Sequence, residues 1–146
     1  MRAIRRVDVP ASVRDFAAAT AVLGEPVDVA GARDRIRSAI AARPVLYVCR
    51  GWAGVLVAPG ASAWTLGRHV LLRDGQWGVD ATDSLVAHEL VHVAQWCERG
   101  RLRFLLTYVG AYLRERLRGE GHWAAYRRIP AEVEAYDLEA AVEPHL

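Results

Sequence analysis

The sequence predicts a single α+β domain in which helices flank a short mixed β-sheet. Apolar residues recur at helical spacing in roughly the first 40 residues and again from about residue 83 onward, whereas short β-branched runs bounded by glycine and proline lie between. The chain has 146 residues, 53% hydrophobic and 25% charged, which suffices for one core without disulfide bonds. No repeat or linker divides it, so residues 1–146 are expected to form one domain.

Two helices are expected before the strands. The first runs from Pro10 to Leu23, because proline suits an opening turn and the apolar residues that follow share a face. The second begins at Asp28, a good N-cap, and continues to about Ala42, before Pro44.

Four short runs are expected to be strands. They are Val45–Cys49, Ala53–Val57, Ala63–Leu66 and His69–Leu72. The pair Asp74-Gly75 predicts a turn after the last of them.

A mostly buried helix should follow this turn. Asp80 or the pair Thr82-Asp83 caps its start, and it continues to about Arg99, where Gly100 stops it.

The next segment, from Leu102 to about Arg118, has the cleanest helical pattern in the chain. Its apolar residues form one stripe: Leu102, Leu105, Leu106, Val109, Leu113 and Leu117. We expect this stripe to pack beside the preceding helix, with a position on a membrane surface as the alternative.

The C-terminal part should end in a glutamate-rich helix. Pro130 suits its first position, and it continues from Ala131 to Val142. The segment from His122 to Arg128 is either one helical turn or a loop.

Composition excludes several classes of function. A formal net charge of +2 gives no electrostatic basis for a nucleic-acid partner. All 19 basic residues are arginines, so mechanisms that need a Schiff-base or phosphate-loop lysine are impossible.

Cys49 and Cys97 are too few for a disulfide framework and are expected to be buried thiols. No run approaches the roughly 18 apolar residues of a membrane span and no signal peptide is convincing, so we expect a cytoplasmic protein without an integral membrane segment.

The buried helix carries the sequence His88-Glu89-Leu90-Val91-His92. Two histidines four residues apart lie on one face of a helix, and a glutamate between them can reach a water on a metal that they hold. Because a buried, unpaired Glu89 beside two histidines is costly, the pattern favours a Zn²⁺ site over two core histidines.

Zinc needs a third protein ligand. The extended HExxHxxGxxH motif does not supply it, because Gln95 occupies the glycine position and Glu98 the last histidine position. A glutamate on a later helix is the remaining option, and the last helix offers Glu132 and Glu134.

Together, residues 88–95 (HELVHVAQ) and 130–136 (PAEVEAY) resemble the gluzincin type of HExxH zinc metallopeptidases. They are most similar to small bacterial domains with a HELxHVxQ helix and a later PxExEA helix, and residues 63–72 resemble the strand before the metal helix of those domains. The similarity covers about residues 63–137, the motif-bearing part being about 63–142, and implies a small zincin-like domain. The first 60 residues carry no recognisable motif.

The resemblance implies His88, His92 and Glu132 as the zinc ligands, with Glu134 as the fallback for the third. Tyr136 stands where the family often has an aspartate that orients a ligand histidine, so Asp137 or Gln95 is left for that role.

The implied activity is that of a small zinc-dependent endopeptidase acting on a peptide or protein substrate. Bound zinc would lower the pKa of a water and polarise the scissile carbonyl, and Glu89 would serve as general base. Tyr126, His122 and Tyr108 are candidates to stabilise the oxyanion, the first two being preferred. The strand at Ala63–Leu72 could bind an extended peptide by edge pairing.

Two alternatives stay open. One is a module that binds metal but is proteolytically inactive or latent, with a regulatory or interaction role. The other is an interaction domain without metal. The C-terminal residues 143–146 could cover the site in a latent form.

Overall fold

The computed structural model describes residues 3–57, 60–74 and 82–146, and it confirms an α+β fold. The helices and strands, in chain order, are β1 (Ile4–Val7), α1 (Ala11–Ala18), α2 (Val27–Ala41), β2 (Val45–Cys49), β3 (Ala63–Leu66), β4 (His69–Arg73), α3 (Asp83–Arg99), α4 (Arg101–Leu117), α5 (His122–Arg127) and α6 (Pro130–Val142). Two 3-10 segments span Gly51–Leu56 and Glu143–His145.

The strands form one mixed sheet in the order β1-β2-β4-β3. Strands β2 and β4 are parallel, whereas β1 pairs with β2 and β3 pairs with β4 in the antiparallel sense. Strand β3 therefore lies at an edge, with Thr65 opposite Val70 of β4. Strand β1 was not expected from the sequence, because its first three residues are exposed and give no apolar alternation.

The strand prediction at Ala53–Val57 is wrong, because this segment lies mostly in the 3-10 helix. Gly51 has a φ of 53°, and Ala53 and Val57 are both buried although they are four residues apart. A spacing of four between buried residues suits a helical turn. The run therefore has the composition of a strand but the spacing of a helix. Gly75 of the predicted turn and Asp80, one of the two predicted helix caps, lie outside the described residues.

The boundaries of the first two helices also differ from prediction. Helix α1 ends at Ala18, and Val22 and Leu23 beyond it are exposed. Helix α2 begins one residue before Asp28, which lies in its first turn and not at the N-cap.

The main core lies where α2, α3 and α6 meet the sheet. Its larger buried members come from five elements: Val13, Phe16, Ile36, Leu46, Val70, Leu72, Leu90 and Val93. Helix α3 contacts α2, α6 and β3, so the residues of its middle turns have protein on every side.

Helix α4 packs in the opposite sense to the prediction. Its buried residues are Phe104, Ala111 and Glu115, and the predicted apolar stripe faces outward. Leu102 is 72% exposed and Leu117 is 88% exposed. Leu105 and Val109 are about half exposed, so the stripe is not the face that α4 buries.

The two cysteines differ in exposure. Cys49 is buried as expected, whereas Cys97 is exposed at the end of α3.

Among the described residues, no helix combines the length and apolarity required to cross a bilayer.

Candidate metal centre

Helix α3 begins where the sequence predicted. Thr82 is its N-cap, and the Thr82 side chain accepts a hydrogen bond from the backbone N–H of Leu85 at 3.2 Å. From Val86 to Trp96 every residue is buried, including His88, Glu89 and His92. The motif is therefore held on a helix with little freedom to move.

The structure brings His88, His92 and Glu132 together. Their potential ligand atoms all lie within 4.8 Å of one another, and all three residues are buried. Glu132 Oε2 lies 3.4 Å from His88 Nε2, and Glu132 Oε1 lies 3.2 Å from His92 Nε2. His92 and Glu132 are far apart in the sequence. Glu132 reaches the histidines because α6 packs against α3.

Each imidazole is held by a polar partner on its other nitrogen. His88 Nδ1 lies 2.9 Å from Glu139 Oε2, and His92 Nδ1 lies 2.9 Å from Gln95 Oε1. Both Nε2 atoms are thereby directed at Glu132. Second-sphere contacts of this kind fix the orientation and tautomer of metal-binding histidines in proteins.

The fallback ligand Glu134 does not join this group. Its carboxylate accepts a hydrogen bond from Gln95 Nε2 at 2.7 Å and pairs with Arg35 at 2.8 Å. Residues two apart on a helix point about 200° apart, so Glu132 and Glu134 cannot face the same ion. Of the two candidates for orienting a histidine, Gln95 contacts His92. The partner of His88 is Glu139 and not the other candidate, Asp137.

Glu132 has one oxygen that fits a metal ligand. Tyr108 donates a hydrogen bond to Glu132 Oε1 at 2.5 Å, whereas Oε2 is buried and accepts none within the described residues. In a tetrahedral zinc site with bonds of about 2.0–2.1 Å, ligand atoms lie about 3.4 Å apart. The 3.4 Å between Oε2 and His88 Nε2 meets that requirement, and the ligand atoms of all three residues lie within 4.8 Å of one another, so the donor set fits a metal ion.

Without a metal, the charges of the group stabilise protons on the histidines. Burial lowers the pKa of His88, but the carboxylates of Glu132 and Glu139 outweigh it and raise the pKa to about 9. His92 is also raised, because Glu132 outweighs its burial. Burial raises the pKa of Glu132, yet His88 and His92 hold that pKa well below its usual range. A cation bound here would replace these protons.

Glu89 lies beside the group and is tied to the edge strand. Thr65 Oγ1 of β3 donates a hydrogen bond to Glu89 Oε2 at 2.5 Å. Both side chains are buried. The contact fixes the position of the carboxylate relative to the strand.

Glu89 lines two cavities that flank the group. One has a volume of about 600 Å³ and is also lined by His88, His122, Tyr126 and Glu139. The other has a volume of about 250 Å³ and is lined by Glu89, His92 and Glu132 together with apolar side chains of β3, α3 and α4. Glu89 and Tyr126 line both cavities, so the candidate metal centre lies between the two spaces.

Gly60 lies against Trp123 in the wall of the larger cavity. It has a φ of +80°, and a Cβ built on it would lie 2.9 Å from Cζ2 of Trp123. Both residues line the cavity. A side chain at this position would have to displace the indole ring.

The three oxyanion candidates occupy different places. Tyr126 lines both cavities, and burial together with the charge of Glu132 raises its pKa, so its hydroxyl is a proton donor. His122 lines the larger cavity, with Tyr112 Oη 2.9 Å from its Nδ1. Tyr108 is occupied by Glu132. Tyr126 also interacts with Glu132 and Tyr108, so both tyrosines lie against the candidate ligand, whereas His122 faces the larger cavity.

The C-terminal residues do not lie over the site. The ring of His145 is 5.9 Å from that of Phe16 on α1, and Leu146 packs against the main core. Residues 143–146 therefore do not cover the cavity in this structure.

Fold and site together define the class: an α+β protein with a buried His-His-Glu group able to hold a metal ion. The sequence model of a family described as the eCIS core domain matches residues 53–100. This third of the chain contains β3, β4 and the histidine pair of α3 but not Glu132. No curated protein and no solved structure matches the chain.

Sequence reasoning missed Glu139 as the partner of His88. The signal was present, because Glu139 follows Glu132 by seven residues and so lies on the same face of α6. Tyr136, between them, packs its ring 4.6 Å from that of His88.

Proposed function

We propose that the protein is a zinc-dependent endopeptidase. The observation that carries the proposal is the convergence of His88, His92 and Glu132 beside a buried glutamate in a cleft. Histidine nitrogens and a carboxylate oxygen suit zinc, and three protein ligands leave a fourth position open, as catalytic zinc sites require.

His88 Nε2, His92 Nε2 and Glu132 Oε2 would hold the ion. When bound, zinc supplies a nucleophilic water at neutral pH and polarises a carbonyl. Glu89 accepts the proton of the attacking water and passes it to the leaving amine. Thr65 holds Glu89 Oε2, which directs the carboxylate for both transfers.

Tyr126 and His122 stabilise the charge that develops on the carbonyl oxygen. Both line the larger cavity, and Tyr126 keeps its proton at neutral pH because its pKa is raised. Tyr108 instead positions Glu132 through its hydrogen bond.

The substrate is a peptide in extended conformation. Strand β3 lies at the sheet edge, so its free side can pair with a peptide backbone. Thr65 faces Glu89, whereas Trp64 and Leu66 are exposed beside the smaller cavity. The match to the eCIS core domain includes both β3 and the two histidines, which supports treating strand and helix as one unit.

The test starts from protein purified without a metal-affinity column. We expect about one zinc per chain by elemental mass spectrometry. Mass spectrometry of a digested peptide library should show cleavage that a chelator abolishes and added zinc restores. The Glu89→Gln variant should retain zinc and lose about 10²–10⁴-fold in rate. Glu98→Gln, an exposed change on the same helix, is the matched control.

Two results would contradict the proposal. Retained zinc without cleavage of any library peptide would favour the inactive or latent metal-binding module. If no zinc co-purifies and none binds on addition, the metal centre itself is wrong and the domain without metal is favoured.

A further inference from the structure

The apolar stripe of α4 is exposed, and nothing in the proposed peptidase activity uses most of it. Its members lie at spacings of three and four on one side of the helix: Leu102, Leu105, Leu106, Val109, Leu113 and Leu117. Leu106 is 65% exposed and Leu102 is 72% exposed. An apolar face this continuous is expected to be covered by a partner or a membrane.

Arginines border the stripe on both sides. At about 100° per residue, Arg103 and Arg114 fall along one border, Arg101 falls along the other, and Arg116 falls within the arc of the stripe. All four are exposed, and the one acidic residue of α4, Glu115, is buried. The outer surface of the helix is therefore apolar along most of its middle, and all of the charged residues on it are cationic.

Three arginines lie close together where α3 ends and α4 begins. Arg99, Arg101 and Arg103 form no ion pair within residues 3–57, 60–74 and 82–146. They line a shallow groove of about 550 Å³ together with Leu102 and Leu106. Guanidinium groups around exposed leucines suit a surface that presents phosphates above hydrocarbon.

A second copy of the chain is a poor occupant for this face. In a two-fold interface the same patch meets itself. The arginines at one end of α4 would then lie near those at the other end of the partner helix, with no exposed carboxylate on either helix to neutralise them. Charge complementarity favours an anionic occupant instead.

We propose that α4 lies on an anionic phospholipid bilayer, with its leucines in the interface and its arginines at the headgroups. The helix is 17 residues long and lies on the surface of the protein, so it binds in the plane of the membrane. This inference goes beyond the proposed peptidase and does not depend on it.

Such docking would place the smaller cavity next to the membrane. Leu105 and Val109 belong to the stripe and also line that cavity beside Glu89. Trp64 and Leu66 of β3 line it as well and are exposed. The edge strand would then face molecules held at the bilayer surface.

The experiment measures co-sedimentation of the full chain with vesicles, with no metal or cleavage required. We expect binding to vesicles of phosphatidylcholine with 30% phosphatidylglycerol, and at least tenfold weaker binding to phosphatidylcholine alone. Replacing Arg101→Gln and Arg103→Gln together should weaken binding about 25-fold, about fivefold for each charge at the membrane surface. Replacing Leu102→Gln and Leu106→Gln together should abolish it.

Matched controls change the same residue types elsewhere. Val22→Gln with Leu23→Gln removes two exposed apolar side chains after α1, and Arg5→Gln with Arg6→Gln removes two exposed charges of β1. Both control proteins should bind as the unchanged chain does. Because all the changed side chains are exposed, circular dichroism should show every variant folded.

Three results would overturn the proposal. One is equal binding to neutral and anionic vesicles, or none to either. Another is an α4 variant that binds no more weakly than its control. The last is a lipid-free dimer in analytical ultracentrifugation that Leu102→Gln with Leu106→Gln dissociates, which would assign the stripe to a second copy. Failure to bind vesicles would leave an acidic protein as the occupant to seek.

Discussion

Helices α3 and α4 are consecutive, equal in length at 17 residues and joined at Gly100, yet they treat their apolar residues in opposite ways. The middle of α3 is buried on every side, although its sequence mixes histidine, glutamate and glutamine with aliphatic residues. Helix α4, whose leucines recur at helical spacing, turns its apolar stripe outward. The comparison teaches that periodicity identifies a helix and its faces, but not which face the protein covers.

Polar pairing explains the difference. The buried polar groups of α3 have partners, since His88 contacts Glu139 and His92 contacts Gln95. On the inner side of α4, Tyr108 donates to Glu132 and Glu115 pairs with Arg118 at 2.9 Å. Satisfied polar groups can be buried at little cost, so they compete with leucines for the covered side of a helix.

The largest expected effect concerns the ligand that α3 receives from α6. Glu132→Gln should weaken zinc binding by more than the roughly 10–100-fold typical of second-sphere changes, because it removes a charged ligand. Glu134→Gln is the matched control, two residues away and already engaged with Gln95 and Arg35. Competition with a chromophoric chelator measures both affinities. Equal losses would mean that the third ligand is wrongly assigned.

The next largest effect should be a difference between α3 and α4 in how much a leucine substitution lowers the free energy of unfolding. Leu90 of α3 is 0% exposed, so Leu90→Ala should lower the free energy of unfolding by about 2–5 kcal/mol. Leu113 of α4 is 51% exposed, and Leu113→Ala should change it by about 0.5 kcal/mol or less. Urea denaturation of metal-free protein gives both values. A large loss at Leu113 would show that the stripe is packed after all.

The buried histidines of α3 should make the metal-free protein sensitive to pH. In the folded chain the pKa of His88 is about 9, above its ordinary value of 6.5, so the folded state binds the proton more tightly. The resulting stability is fully present below pH 6.5 and is lost as pH rises through 9. It amounts to about 3 kcal/mol.

Urea denaturation between pH 6 and 10 measures this loss. The His88→Gln variant should show a smaller pH dependence, and zinc-loaded protein should show little, because the metal has already displaced the proton. A metal-free protein whose stability is constant from pH 6.5 to 9 would contradict the charge arrangement around His88.

The smallest expected effect lies in the support of the ligands. Glu139→Gln keeps the shape of the side chain but removes the charge beside His88 Nδ1, so zinc affinity should fall about 10–100-fold. The exposed Glu143→Gln, just beyond α6, is the control and should leave the affinity unchanged. A Glu139→Gln protein with unchanged zinc affinity would show that His88 Nδ1 needs no anionic partner.

Local pattern was enough to predict most of the elements. The α+β class, α3 with its two histidines, the edge-forming pair β3 and β4, and the start of α6 at Pro130 all agree with the sequence. Spacing on one helix also placed His88 and His92 together, because the geometry of an α-helix is fixed.

The remainder depended on contacts between distant segments. Local pattern left Glu132 and Glu134 both open, because how α6 packs decides which of them faces α3, and the family resemblance favoured Glu132. The same holds for α4, whose covered side is decided by Tyr108 and Glu115 pairing with residues of other segments. The error at Ala53–Val57 is different, since residues four apart were both buried and the composition alone suggested a strand.

The close approach of Gly60 and Trp123 has a consequence for the shape of the larger cavity. Because Gly60 has no Cβ, the Trp123 indole lies against its backbone, and both residues line this cavity. A substitution at either residue would reshape the cavity without changing His88, His92 or Glu132. The space offered to a bound molecule can thus be altered separately from the candidate metal ligands.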